Sequence, residues 1–379
     1  MMKIPFNKPF FTGEESRHMQ MAAIFGQISG NGAYTKKCHQ FFEKGFGFGK
    51  ALLTTSCSDA LEMAAILSNI GPGDEVIMPS FTFVSTANAF ILRGATIVFA
   101  DVEPGYPNLD PVGVEKLITP RTRVIVLVHY SGVACQMDAF TRLAEAHNLI
   151  LVEDAAHAIG SYYRKQPLGS IGHFGTFSFH ETKNIISGEG GLLTINDKRF
   201  SARAEIIWEK GTNRAAFYRG EVNKYGWVDV GSSFLPSELI AAFLFAQLEA
   251  FKDIQKERLR VRRSYLEQLH FVNERGWATI PAIPDYATDN GNMFFMVTRD
   301  GEERDALIRH LNRDGIQAVF HYLPLHSSGF FSPRHDGRPL PNTDRFSECI
   351  IRLPFFSGLS EKEVAFVAKS VRRFFEKRG

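Results

Sequence analysis

Between Ala51 and Asp197, short runs of Val, Ile and Leu alternate with longer stretches of helical spacing, and this alternation constrains the fold more than any other feature of the chain. A strand that is apolar without a break must be covered on both faces, which is the condition of a parallel sheet lying between helices. The runs predict strands at Glu75 to Met78, Thr96 to Ala100, Arg123 to His129, Leu149 to Asp154, Gly175 to Phe179 and Gly191 to Ile195. Between them, Asp110-Pro111 reads as an N-cap followed by a first-turn proline, and Met137 to His147 carries a helical stripe. The class that follows is doubly wound α/β.

Beyond Phe234 the texture changes. Pro236 to Phe251 predicts one helix and Lys252 to Gln268 a second, charged one; a strand at Phe294 to Thr298, a helix at Glu303 to Arg313 and a terminal helix from Ser360 follow. This predicts a smaller α+β unit with a boundary near residue 250. The polar loop from Ser327 to Asp344 has the length and composition of a rim or lid. Asn88 and Arg93-Gly94 break the apolar window from Phe81 to Ala100, so it reads as helix, turn and strand and not as a membrane span. With 43 Lys and Arg against 41 Asp and Glu, the net charge of +2 argues against nucleic acid as a partner. The 4 cysteines are far apart, with no Cys-x-x-Cys pair, and Pro5, Asn7 and Pro9 interrupt the N-terminus where a signal peptide would be apolar; both features predict a cytoplasmic protein.

Motifs for other chemistries break at single positions. Gly45-Phe46-Gly47-Phe48-Gly49-Lys50 is not a Walker loop, because Lys44 stands where its first glycine falls and Ala51 where Ser or Thr would hold magnesium. Nor is it a dinucleotide fingerprint, since Lys50 takes the last glycine position. His180-Glu181 opens like a zinc-protease helix, but Asn184 occupies the place of the second histidine, and no metal site is expected. Gly169-Ser170-Ile171-Gly172 has the wrong register for a hydrolase nucleophile elbow.

Three separated features remain, each with an ordinary structural alternative. Asp154 ends a strand and precedes Ala155-Ala156-His157: a carboxylate at the crevice of a parallel sheet, or a helix cap. Lys183 lies in Phe177-Ser178-Phe179-His180-Glu181-Thr182-Lys183-Asn184, which runs into Gly188-Glu189-Gly190-Gly191: a reachable amine among turn-prone residues, or a solvated charge. Thr54-Thr55-Ser56-Cys57-Ser58-Asp59 precedes an apolar helix from Ala60 to Leu67: free N–H groups at a positive helix end, suited to a phosphate, or N-capping by Ser56 or Ser58. Together they ask for a ligand with a phosphate, a ring nitrogen that favours a carboxylate and a carbonyl that favours an amine. Pyridoxal phosphate (PLP) has all three.

The runs Glu153-Asp154-Ala155-Ala156-His157, Ser178-Phe179-His180 to Lys183-Asn184, Gly188-Glu189-Gly190-Gly191 and Pro79-Ser80-Phe81-Thr82-Phe83-Val84-Ser85-Thr86 resemble the DegT/DnrJ/EryC1/StrS sugar aminotransferases, and the likeness spans nearly the whole chain. Within that family, Thr82 to Arg93, Val128-His129-Tyr130 to Asp138, Glu209-Lys210-Gly211-Thr212-Asn213-Arg214, Gly231-Ser232-Ser233-Phe234 and His321-Tyr322-Leu323-Pro324-Leu325-His326 most resemble the dTDP-4-amino-4,6-dideoxygalactose transaminases that serve enterobacterial common antigen.

The resemblance implies a PLP-dependent aminotransferase of fold type I, with residues 1–250, N-terminal arm included, as a large domain around a mostly parallel sheet and 251–379 as a small α+β domain. It implies that Lys183 bonds the cofactor and later shuttles a proton, that Asp154 keeps the pyridine nitrogen protonated, that Phe83 stacks on the ring and that His157 sits near its 3-hydroxyl. Ser58, the backbone of Asp59 and Ser178 would hold the phosphate, in a turn where Cys57 stands at a position that is commonly glycine. Ser233, in place of a family asparagine, would reach the phosphate across a homodimer interface. His180, His321, Tyr322 and His326 are implied substrate contacts, with loop orientation or packing as their alternative. The implied substrates are L-glutamate and dTDP-4-dehydro-6-deoxyglucose, with neither membrane nor nucleic acid involved. Aminotransferases acting at C3, or at C4 with opposite stereochemistry, would share these cofactor motifs, and so would a non-catalytic regulator that binds the cofactor.

Overall fold

The unbroken apolar runs become the centre of a seven-stranded sheet. In a computed structural model that describes residues 3–378, its strands are β1 (Ala51–Thr54), β2 (Glu75–Pro79), β3 (Thr96–Ala100), β4 (Thr122–Val128), β5 (Ile150–Asp154) and, after a ribbon of β6 (Tyr162–Tyr163) and β7 (Gln166–Pro167), β8 (Phe174–Ser178) and β9 (Gly191–Ile195). The order is β1-β9-β8-β5-β4-β2-β3, parallel throughout except that β9 runs against both its neighbours. Every residue of β4 except Arg123 is buried, as double-sided cover requires. Alternate side chains serve opposite layers: Ile125, Leu127 and Leu151 join the helices Ala33–Phe46, Met137–His147 and Glu238–Glu249, while Val124, Val126 and Val152 join Cys57–Leu67, Val84–Ile91 and Ser201–Trp208.

Local chemistry sets the ends of these elements. Asp110 caps its helix by accepting from the N–H of Val112 and Gly113, with Pro111 in the first turn, as expected. Strand β1 was not among the expected strands; it is short, and its pairing partner β9 lies some 140 residues further on, a contact that no local pattern announces.

A second core forms behind β10 (Phe294–Val297) and β11 (Ile350–Leu353), an antiparallel pair packed by the helices Phe251–Leu269, Gly301–Arg313 and Glu361–Glu376. Phe251–Leu269 spans both cores, with Ile254 in the sheet's cluster and Val261, Tyr265 and Leu269 in the second. Ile4 also belongs to the second core and bridges Ile316. The loop Ser327 to Asp344 is no lid. Phe331 is buried edge-on against Phe99 at 4.7 Å, Leu340 is buried, and the N–H groups of Asn342 and Thr343 donate to the Asp101 carboxylate at 3.0 and 2.8 Å.

Candidate active site

A cavity of about 590 Å³ opens where β4, β5 and β8 end, reached by Val128, Asp154 and Ser178. Asp154 is buried, and two donors orient it: Thr86 Oγ1 to Oδ2 at 2.8 Å and the N–H of Ala156 to Oδ1 at 3.2 Å. Burial raises its pKa, opposed by these hydrogen bonds and by the charge of Lys183. Lys183 projects from the turn joining β8 to β9, which closes through Phe179 N–H to Gly190 O (2.8 Å) and Ser187 N–H to Phe179 O (2.7 Å). The next residue, Asn184, is buried and donates to Gln255 Oε1 and the carbonyl of Asn290, which fixes the turn below the lysine. Burial lowers the Lys183 pKa to about 8, a shift that Arg352 assists and that Cys57 and Asp154 oppose.

The start of the helix Cys57–Leu67 forms the cavity's other end. Ser56 is its N-cap and accepts from the N–H of Asp59 at 3.1 Å, while Ser58 Oγ donates to Ser85 Oγ at 2.6 Å. This corrects one expectation: the Asp59 N–H is taken by the cap and its carboxylate by Thr55, so the open donors of this turn are the N–H groups of Cys57 and Ser58. Cys57 does not have a positive φ, and a non-glycine residue stands there without strain. The turn rests directly on β9, where a Cβ on Gly191 would come within 2.3 Å of the Ser56 carbonyl oxygen.

Phe83, a residue 57% exposed, lines the cavity, Tyr322 packs towards its ring at 6.5 Å, and Ser178 and His180 line the same cavity. His157 Nδ1 accepts from the N–H of Ser131 at 3.3 Å, which leaves the ring neutral with its hydrogen on Nε2; burial and the nearby charges of Lys183 and Arg352 lower its pKa. His321 also faces the cavity, with Nδ1 on the Tyr130 hydroxyl at 3.0 Å, and burial lowers its pKa too. His180 sits at the rim, 3.8 Å from Glu189.

Two expected residues do not line the cavity. His326 is withdrawn from it because its ring is held between Ser80 Oγ (2.9 Å) and Asp344 (3.4 Å) and serves the fold. Ser233 is exposed outside it, on a segment that bridges Glu209. Residues absent from the expectation include Thr86, which aims Asp154, and Arg352, Asn292 and Phe6, which line the same cavity. A readable signal for Arg352 was a lone charge inside the apolar run Ile350-Ile351-Arg352-Leu353.

These groups fit PLP. A buried carboxylate held by two donors favours a protonated ring nitrogen as its counter-charge, a partly neutral amine favours a carbonyl, and a helix start with two open N–H groups and a serine hydroxyl favours a phosphate. The sheet order and this cavity define a PLP-dependent aminotransferase of fold type I. The chain belongs to the DegT/DnrJ/EryC1/StrS aminotransferase family, whose model matches residues 11–372. It is 32% identical over 378 residues to the spore coat polysaccharide biosynthesis protein SpsC of Bacillus subtilis (strain 168), covering 97% of this chain and 96% of that protein. Among solved structures, the aminotransferase TlmJ from Streptoalloteichus hindustanus superposes with a TM-score of 0.91 at 27% identity over the whole of both chains. The PLP form of Spr1654 from Streptococcus pneumoniae superposes with a TM-score of 0.90 at 25% identity over 99% of each chain. No helix of the described residues is long and apolar enough to cross a membrane.

Proposed function

We propose that this aminotransferase moves the amino group of L-glutamate to C4 of dTDP-4-dehydro-6-deoxy-D-glucose, releasing 2-oxoglutarate and forming dTDP-4-amino-4,6-dideoxy-D-galactose. The observation that carries the reaction type is the convergence of Lys183 and Asp154 in one cavity with an open helix start. The sugar is supported by the kinship to a polysaccharide biosynthesis protein and by the position of Thr82, Val128, His321 and Tyr322, which belong to the stretches resembling the C4 transaminases and line the same cavity.

Bound PLP supplies a carbonyl for the amine and a ring that takes up the electron pair left by C–H cleavage. Asp154, aimed by Thr86, holds the ring nitrogen's proton. Lys183, once free, is neutral often enough near pH 8 to take a proton from the donor's α-carbon and return one at the sugar carbon. The N–H groups of Cys57 and Ser58 with the hydroxyls of Ser58 and Ser178 hold the phosphate, Phe83 covers the ring, and the Nε2–H of His157 serves the 3-hydroxyl. A second copy of the chain completes the site, Ser233 being contributed from the partner.

The test is the absorbance of the holoenzyme. A yellow band that bleaches with L-glutamate and returns with the dTDP-sugar is expected, as is a galacto-configured C4 amine in the product's NMR spectrum. A band that ignores every amino acid would leave a cofactor-binding protein without transaminase activity, and amination at C3 or with gluco configuration would reassign the substrate. Lys183→Ala is expected to lose at least about 10⁴-fold in turnover, and wild-type turnover in that variant would remove the assignment.

A further inference from the structure

We infer that Arg352 receives the carboxylate of the amino donor, a reading that rests on the aminotransferase function proposed above. Ile351 and Leu353, its neighbours in β11, are buried in the second core, so strand alternation turns the arginine to the opposite face, onto the cavity it lines. Its backbone exchanges hydrogen bonds with Val319 at 2.7 and 3.1 Å, and the ring of Phe6 lies 4.7 Å from the guanidinium carbon. Phe6 is itself fastened, its N–H donating to Gln317 Oε1 and its carbonyl accepting from the N–H of Phe355, both at 3.1 Å. The guanidinium is thus held in place, yet none of its nitrogens has a hydrogen-bond or carboxylate partner among the described residues, and Nε is fully buried. The carboxylates lining the cavity are Asp154, engaged by Thr86 and Ala156, and Glu189, which faces His180.

A cation buried without a counter-ion is costly, and an anionic ligand relieves the cost. The proposed reaction brings two candidates, the α-carboxylate of L-glutamate and the diphosphate of the nucleotide sugar. Position separates them. The α-carboxylate carbon is two bonds from the nitrogen that displaces Lys183, whereas the diphosphate is joined at C1, across the hexose ring from the reacting C4. Arg352 lines the same cavity as Lys183, His157 and His321, the residues around the reacting nitrogen. Its planar fork also matches a carboxylate through two parallel hydrogen bonds.

The test uses the holoenzyme and reads the half-reactions separately: bleaching of the yellow band by L-glutamate, and its return when the amino form of the enzyme meets the sugar. Glutarate, which offers carboxylates without an amine, is titrated in parallel by calorimetry. Arg352→Gln is expected to raise the half-saturating L-glutamate about 100-fold and to weaken glutarate similarly, while the sugar half-reaction changes by less than about threefold. Arg352→Lys, which keeps the charge but not the fork, recovers part of the loss; it is scored in place of Arg352→Gln should that variant melt several degrees lower. An undiminished glutamate response overturns the assignment, and a loss confined to the sugar half-reaction transfers Arg352 to the diphosphate. A wild-type protein that ignores L-glutamate yet binds glutarate through Arg352 overturns the functional reading and leaves the carboxylate site standing. A wild-type protein that does neither overturns both.

Discussion

Burial presses Lys183 and Asp154 towards neutrality from opposite directions, lowering the lysine's pKa to about 8 and raising the aspartate's. The lysine's shift has a kinetic consequence. At pH 7 an ordinary lysine is neutral about once in 3,000 molecules, while one with a pKa near 8 is neutral about once in ten. Capture of PLP by the cofactor-stripped protein should therefore accelerate about tenfold per pH unit on the acid side and level off above pH 8. Stopped-flow absorbance between pH 6.5 and 9.5 measures this, and a rate still climbing tenfold per unit at pH 9.5 would show an amine that burial has not perturbed. At this scale the sequence exposed the two cavity residues, Asp154 and Lys183, because they stand out of their context, a carboxylate after an apolar strand and a lysine among glycines and serines. It did not expose what aims them. Thr86 reaches Asp154 across 68 residues, and the Ser56 cap withdraws the Asp59 N–H; both depend on side-chain directions that spacing alone does not specify.

Strands and the turns between them carry those residues to one edge. The parallel strands were legible to within a residue or so because double-sided burial leaves an unbroken apolar signature, whereas β1 shows only Ala51-Leu52-Leu53-Thr54 and owes its place to distant pairing. The loop from Ser327 to Asp344 misled because polar composition does not reveal two buried anchors, Phe331 and Leu340. The meeting of β9 with the phosphate turn is an element-scale constraint with a direct test. Gly191→Ala places a methyl group 2.3 Å from the Ser56 carbonyl oxygen and 2.5 Å from the Cys57 nitrogen, both of them backbone atoms that cannot rotate away. The turn must shift, at about 1–3 kcal/mol of stability, and the open N–H groups move with it. The expected result is a melting temperature lower by several degrees together with PLP released more readily on dialysis. Full cofactor retention at wild-type stability would show that the turn is not seated on β9 as described.

On the scale of the whole molecule, the N-terminal segment and the region after Tyr218 leave apolar surface unburied in a single chain. Ile24, Phe25 and Ile28 are each more than half exposed, and Trp227 is 84% exposed. The two regions adjoin: Asn31 donates to Glu209, Glu209 bridges Ser233, and Thr212 bridges Trp227. Exposed apolar residues grouped beside polar ones have the character of an association surface, and the proposed site completed by a second copy would place Ser233 within it. Sedimentation at micromolar concentration is expected to give the mass of two chains. Trp227→Glu puts a charge where burial is needed and should weaken association about 100-fold, so that activity per chain falls on dilution while the melting of the isolated chain stays close to wild type. Ser233→Ala should leave the two-chain mass unchanged and weaken only PLP retention, separating the residue's contact with cofactor from its place in the interface. A wild-type protein that sediments as one chain and keeps full activity on dilution would overturn the shared site, and Ser233 would then be a surface residue with no part in holding phosphate.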